Sequence, residues 1–141
     1  HFVAALAYRG AKVLGAAPDS VAEFRAHPSV RTPSEILNHV NGVLTYAHSF
    51  FMPNESTHLP QEAWSNEVRR FFDALERLDQ QFAGDQAIHE VTEERLLQGP
   101  LADAMLHLGQ IGMLRRMAGS PVASENYVLA DVVAGRLRRV E

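Results

Sequence analysis

Residues 64–82 constrain the fold more than any other part of the chain. Trp64, Val68, Phe71, Phe72, Leu75, Leu78 and Phe82 recur at three- and four-residue intervals, the period of a helix that lays one face on a core. Between them stand arginines, glutamates, aspartates and glutamines, so the opposite face is built for water. Gly84 follows as a stop signal. A helix of this kind needs partners of the same kind.

Three other segments supply them, and no stretch alternates well enough to read as a strand. Residues 1–16 are rich in alanine, carry Leu6, Val13 and Leu14, and are closed by Pro18. Residues 21–26 allow a short extra turn before Pro28. The second long helix has a strong start: Thr32 as cap, Pro33 at the first helical position, and Glu35 able to reach back to the cap's N–H. Ile36, Val40, Val43, Ala47 and Phe50 then recur until Met52-Pro53 ends the run, and residues 53–60 form a loop bracketed by prolines. After a looser polar stretch over 85–98, a fourth helix is expected to begin at Gly99-Pro100 and run to about Ala118, with Gly119 and Pro121 as stops. Residues 128–134 allow a short helix in the tail. The expected fold is all-α, an up-and-down four-helix bundle forming one domain over residues 1–141.

The chain has 141 residues, 46% hydrophobic and 21% charged, enough for one domain with a real core. Its formal net charge of −4 argues against a nucleic-acid partner. The nearest basic features are Arg136, Arg138 and Arg139, with Arg115 and Arg116 upstream, and they read as solvated side chains that complement helix dipoles. There is no cysteine, which excludes protein thiol nucleophiles, disulfides and thiolate metal sites and suits a cytoplasmic location. No apolar run approaches the roughly 18 residues of a membrane span, so no membrane partner is expected. The opening stretch mixes Tyr8, Arg9 and Lys12 among its apolar residues and does not resemble a secretory signal.

Helical bundles build their sites from polar side chains on facing buried stripes. On the fourth helix, the stripe through Leu106, Ile111, Leu114 and Met117 also carries Asp103, His107 and Gln110. Asp103 and His107 stand four apart on one face, a spacing that lets a carboxylate and an imidazole chelate one ion. Taken alone the pair has a plainer reading: Asp103 complements the helix dipole in a first turn, and His107 is a core histidine satisfied by a hydrogen bond. His39, beside the Ile36, Val40 and Val43 stripe of the second helix, is the candidate third ligand. Two histidines and one carboxylate from two helices make a three-ligand site with open positions. Gln110 suits a group that orders a ligand or bound water, and Tyr46, about two turns beyond His39, is placed to face the same cavity.

The remaining histidines are weaker candidates. His48 falls on the side of its helix opposite His39, and His27, His58 and His89 lie in loop-like sequence. Glu55 and His58 have the Glu-x-x-His spacing of di-iron bundles, but the motif occurs once and in a loop, so a di-iron centre is excluded. There is no phosphate-binding glycine loop and no serine elbow. Ala102, Gly109 and Gly112 lie roughly on one stripe that would let another helix approach closely, within the bundle or from a second copy in a homodimer. Glycine inside a helix costs about 1 kcal/mol relative to alanine, so such positions call for a packing reason.

The run Thr32-Pro33-Ser34-Glu35-Ile36-Leu37-Asn38-His39-Val40, followed by His107-Leu108-Gly109-Gln110-Ile111, resembles the DinB-like superfamily. The closing stretch from Leu114 to Gly119, with Glu125-Asn126-Tyr127 and Ala134-Gly135-Arg136, extends the resemblance over nearly the whole chain. The resemblance implies a four-helix bundle with a metal site, usually of three histidines, one from the second helix and two from a His-x3-His pair on the last long helix. On that pattern His39 and His107 match the first and third ligands. Asp103 replaces the second, where the related mycothiol-dependent maleylpyruvate isomerases use a glutamate. The resemblance further implies a divalent ion (zinc or nickel foremost, iron or manganese also suited) and a thiol-dependent transferase or isomerase acting on a small molecule with a low-molecular-weight thiol. Two other readings stand beside it: a non-enzymatic stress-response or ligand-binding protein with a structural or lapsed site, and a metal-assisted hydrolase.

Overall fold

The computed structural model describes residues 1–138; Arg139 of the C-terminal arginine group lies outside them. The described residues are helical, without strands. Helix α1 covers Phe2–Leu14, α2 is a single turn at Asp19–Ala22, α3 covers Pro33–Ser49 and α4 covers Trp64–Ala83. A turn of helix, α5 at Glu93–Leu96, passes through a π-helical turn at Leu97–Leu101 into α6, Ala102–Met117. Helix α3 packs on α4 and on α6, and α1 touches the same two. The four long helices thus surround a single core. Leu6, Leu37, Leu44, Phe71, Leu75, Leu78, Leu108 and Ile111 lie in it with essentially no exposure.

The helix that governs the site, α3, starts as its sequence dictates. The Thr32 side chain accepts from the Glu35 N–H at 3.2 Å, and Glu35 accepts from the Thr32 N–H at 2.8 Å. Pro33 occupies the first turn, where its missing N–H costs nothing. Glu35 is also gripped by Arg25 at 2.7 Å. That guanidinium, with the Thr32 N–H, holds the carboxyl below the ordinary glutamate range. The stripe read on α4 is present: Phe71, Leu75 and Leu78 are buried, while Trp64, Val68, Phe72 and Phe82 pack half-buried against the core. Close approach occurs where α4 meets α1. A Cβ at Gly10 would lie 2.3 Å from Phe71 Cε1, so only glycine lets the ring in.

A buried polar knot ties α3 to α4. Glu67 is completely buried, and it accepts from Asn41 Nδ2 at 2.7 Å, Asn38 Nδ2 at 3.0 Å and the Glu62 N–H at 2.8 Å. Asn41 Nδ2 also donates to the Glu67 carbonyl at 2.9 Å. A buried carboxylate is tolerable only when its lone pairs are met in this way.

Four expectations change. The last helix does not begin at Gly99-Pro100: it starts at Glu93 behind Thr92, whose hydroxyl accepts from the Arg95 N–H at 3.3 Å. Pro100 lies inside the continuous run because the wider π turn absorbs its missing N–H and its ring. The buried face of α6 is Leu101, Ala104, Leu108, Ile111 and Leu114, whereas Leu106 and Met117 stand 63% and 57% exposed. Asp103 and His107 therefore flank the core face at a seam. Residues 128–134 form turns rather than a helix. Val128 and Leu129 face solvent, and so short a segment without a buried face has nothing to repay helix nucleation. Finally, within the bundle no helix comes close to the glycines of α6: a Cβ at Gly109 meets nothing within 4 Å, and one at Gly112 meets only Val13 Cγ2 at 3.8 Å.

Arg115 also departs from the solvated role expected of it. It is buried and donates to the carbonyls of Val13 at 2.7 Å, Gly15 at 2.9 Å and Ser120 at 3.1 Å. It complements a helix dipole as expected, but the dipole is that of α1. No helix of the described residues is long and apolar enough to cross a membrane.

Gly10→Ala tests the closest packing in the core. Alanine's helix propensity favours the variant by about 1 kcal/mol, but forcing a methyl against Phe71 costs about 1–3 kcal/mol. The expected net is a loss of about 1 kcal/mol, read as a lower urea midpoint. A midpoint at or above that of the parent would show that the ring gives way freely.

Candidate metal centre

The register that the Glu67 knot imposes on α3 sends Asn38 and Asn41 toward α4. His39, the next residue round from Asn38, is turned toward α6. From α6, Asp103 and His107 project from successive turns of the same face. His39 Nε2 lies 3.7 Å from Asp103 Oδ2, and His107 Nε2 lies 3.5 Å from the same oxygen. The two imidazoles meet edge to face with ring centroids 4.7 Å apart. One ligand atom from each of the three residues lies within 4.8 Å of the others, so the cluster can hold a metal ion. The three candidates chosen from the sequence are thus brought together.

The chemistry of the donors fits a cation. Both imidazole-to-carboxylate gaps are too long for hydrogen bonds, so the shared oxygen closes on neither ring and a space is left among the three atoms. Burial pushes the His39 pKa below its ordinary value, and the positive charges of a protonated His107 and of Arg31 push the same way, against the pull of Asp103. The neutral ring is the form that ligates. His107 Nδ1 lies 2.7 Å from Gln110 Oε1. A carbonyl oxygen can only accept, so Nδ1 carries a proton, and in the neutral ring Nε2 is the nitrogen with a lone pair to offer. Gln110 is thus in contact with a residue of the cluster, at the position expected of a group that orders a ligand.

The centre is open to solvent. The side chains of His39 and Asp103 are 39% and 41% exposed, and that of His107 is 14% exposed. Two hollows flank it and share Val43 and Tyr46. One, ≈ 460 Å³, is walled by His39, Asn38 and Gly42 of α3 and by Thr57 and His58 of the following loop. The other, ≈ 560 Å³, is walled by Asp103 and Leu106 and by Gly99 and Pro100 of the π turn. Tyr46 lines both hollows and meets Phe50 edge to face, so it shares a hollow with His39.

Other polar residues are placed apart. Glu55 does not pair with His58: it bonds His48 Nδ1 at 2.5 Å and Arg77 at 2.7 Å. His48 is buried at the far end of α3 from His39. The sequence reading passed over Glu67 altogether, although Asn38 and Asn41, three apart beside His39, were a sign that a polar partner faced them. A scan of protein-family models, a search of curated proteins and a search of solved structures find no match to this chain.

Replacing Gln110 by leucine removes the acceptor that fixes the His107 tautomer while leaving all three ligands. Metal affinity, measured by competition with a chromogenic chelator, is expected to fall about 10–100-fold. An unchanged affinity would mean that Gln110 does not orient the ring.

Proposed function

We propose that this chain is a divalent-metal protein of the DinB-like kind, an up-and-down four-helix bundle that works as a transferase or isomerase with a low-molecular-weight thiol. The observation that carries the metal part is the convergence of His39, Asp103 and His107 from two helices, with their ligand atoms within 4.8 Å of one another. The thiol part rests on the resemblance of residues 32–40 and 107–111 to that superfamily.

We propose zinc, or nickel in a zinc-like site, as the ion, and two of the three ligand separations agree with it. Ligand atoms about 2.0–2.1 Å from a tetrahedral ion lie about 3.3–3.4 Å apart, against about 2.9 Å for neighbours in an octahedron. The gaps of 3.5 and 3.7 Å are nearer the first figure. A structural zinc site is closed by four protein ligands, whereas a catalytic one keeps a position free. Three ligands, two of them substantially exposed, agree with the second, which favours an enzyme over a protein whose ion only braces the fold.

An ion bound there supplies Lewis acidity, enough to hold a thiol as its thiolate. The residues of the chain do the rest. His39, its pKa lowered by burial, offers Nε2, Gln110 selects the neutral His107 tautomer whose Nε2 can ligate, and Asp103 offers a carboxylate oxygen. Tyr46 offers a hydroxyl between the two hollows, within reach of a molecule lying in either.

Elemental analysis of untagged protein, beside His39→Ala and Asp103→Ala, tests the reading. The expected result is about one ion per chain in the parent, largely lost in both variants, with circular dichroism unchanged. A parent that retains no zinc or nickel after incubation and desalting would overturn it, leaving a small-molecule binding protein with a lapsed site.

A further inference from the structure

Gly42 lies inside α3, where glycine weakens a helix, and nothing in the packing requires it. Its φ is not positive, and a Cβ built on it meets nothing within 4 Å. The contrast with Gly10, which Phe71 fills, is direct. What lies over Gly42 is the hollow that His39 walls on one side and Thr57 and His58 on the other. A helical glycine with no neighbour, opening on a hollow beside an imidazole that can ligate, leaves room for a bound molecule.

The lining indicates which chemistry that molecule carries. Tyr46 and Thr57 present hydroxyls and His58 an imidazole, all able to donate, and no aspartate or glutamate lines the hollow. Of the neighbouring carboxylates, Glu67 is buried behind Asn38, which donates to it at 3.0 Å, and Asp103 belongs to the centre and walls the other hollow. Donors without acids suit an anion, and a carboxylate is best held by several such groups at once.

We infer that this hollow is a binding subsite for a small carboxylate-bearing molecule whose far end reaches the His39, Asp103 and His107 centre, with Gly42 keeping its floor open and His58 and Thr57 holding the carboxylate. This rests on the metal reading above. It makes His58, a loop residue with no part in the metal cluster, a specificity-determining residue.

Cobalt-loaded protein separates the two ideas, because the visible cobalt bands report the metal before any probe is added. Two thiols are then titrated, mercaptosuccinate with its two carboxylates and ethanethiol with none, each followed by the near-ultraviolet sulfur-to-cobalt band. The parent is expected to bind mercaptosuccinate about tenfold tighter than ethanethiol, the size of one hydrogen bond to a charged group. Gly42→Leu and His58→Ala should each remove most of that preference while cobalt content and ethanethiol affinity stay as in the parent. Gly42→Ala should melt at or above the parent temperature and lose part of the preference, so the test stands even if leucine disturbs the fold. Cobalt bands intact with no preference in the parent, or with the full preference kept in Gly42→Ala and His58→Ala, would overturn the subsite and spare the metal centre. A parent that takes up no cobalt would overturn the metal reading and this inference with it.

Discussion

Glu67 accepts from Asn38, Asn41 and the Glu62 N–H, and a carboxylate so deeply buried can be satisfied at only one register of α3 against α4. A slip of one residue along α3 would rotate both asparagines off it by about 100° and leave the buried carboxylate only the Glu62 N–H and the Arg70 guanidinium at 3.4 Å, a costly loss in a core. The apolar residues of α3 tolerate small slips much better, because leucine, valine and isoleucine substitute for one another in a core at modest cost. The polar knot therefore does what the apolar contact cannot. It fixes which way His39 faces, and with that whether the three ligands meet at all.

This division of labour explains what could be read in the sequence. The start of α3 was legible because Thr32, Pro33 and Glu35 act on one another across three residues and need no tertiary information. The stripe of α4 was legible because its two faces differ so strongly in polarity. The phase of α6 was not. Leu106, Met113 and Met117 form one apolar row and Leu108, Ile111 and Leu114 another, and a helix apolar nearly all round gives periodicity nothing to choose between. The π turn compounds this, since its extra residue shifts everything after it relative to α5, and a proline inside it looks like a helix start. Asp103 and His107 were found nonetheless. Their four-residue spacing places them on one face whatever the phase, so an error in the stripe did not reach the pair.

What the sequence could not supply was the third dimension of the pair. Whether His39 faces Asp103 is decided by Glu67, twenty-eight residues further along the chain than His39, and a glutamate in an amphipathic helix looks like any other surface acid. The sign of its burial was indirect, two asparagines three apart on the partner helix. Arg115 went unread for the same reason. A basic residue near a helix end reads as solvated until another helix is seen to end beside it, as α1 does.

The seam between α3 and α6 concentrates features that weaken a helix: Gly42 in one, Gly99, Pro100 and the π turn leading into the other. Such departures are not confined to the seam, since Gly109 inside α6 also meets nothing within 4 Å, whereas Gly10 stands where Phe71 demands it and a capping box stands where α3 begins. Sequences that specify one fold are locally consistent, and departures without a packing reason gather where something other than stability is being served. Those at the seam lie on both sides of His39, Asp103 and His107, the group that could hold an ion. Gly42 opens the hollow that His39 walls, and the π turn forms the wall of the hollow that Asp103 faces. The buried knot behind α3 supplies the rigidity that lets the exposed side of the seam be irregular. A site with open positions needs that pairing, because ligands held by a fixed register can leave coordination positions free without drifting out of reach of one another.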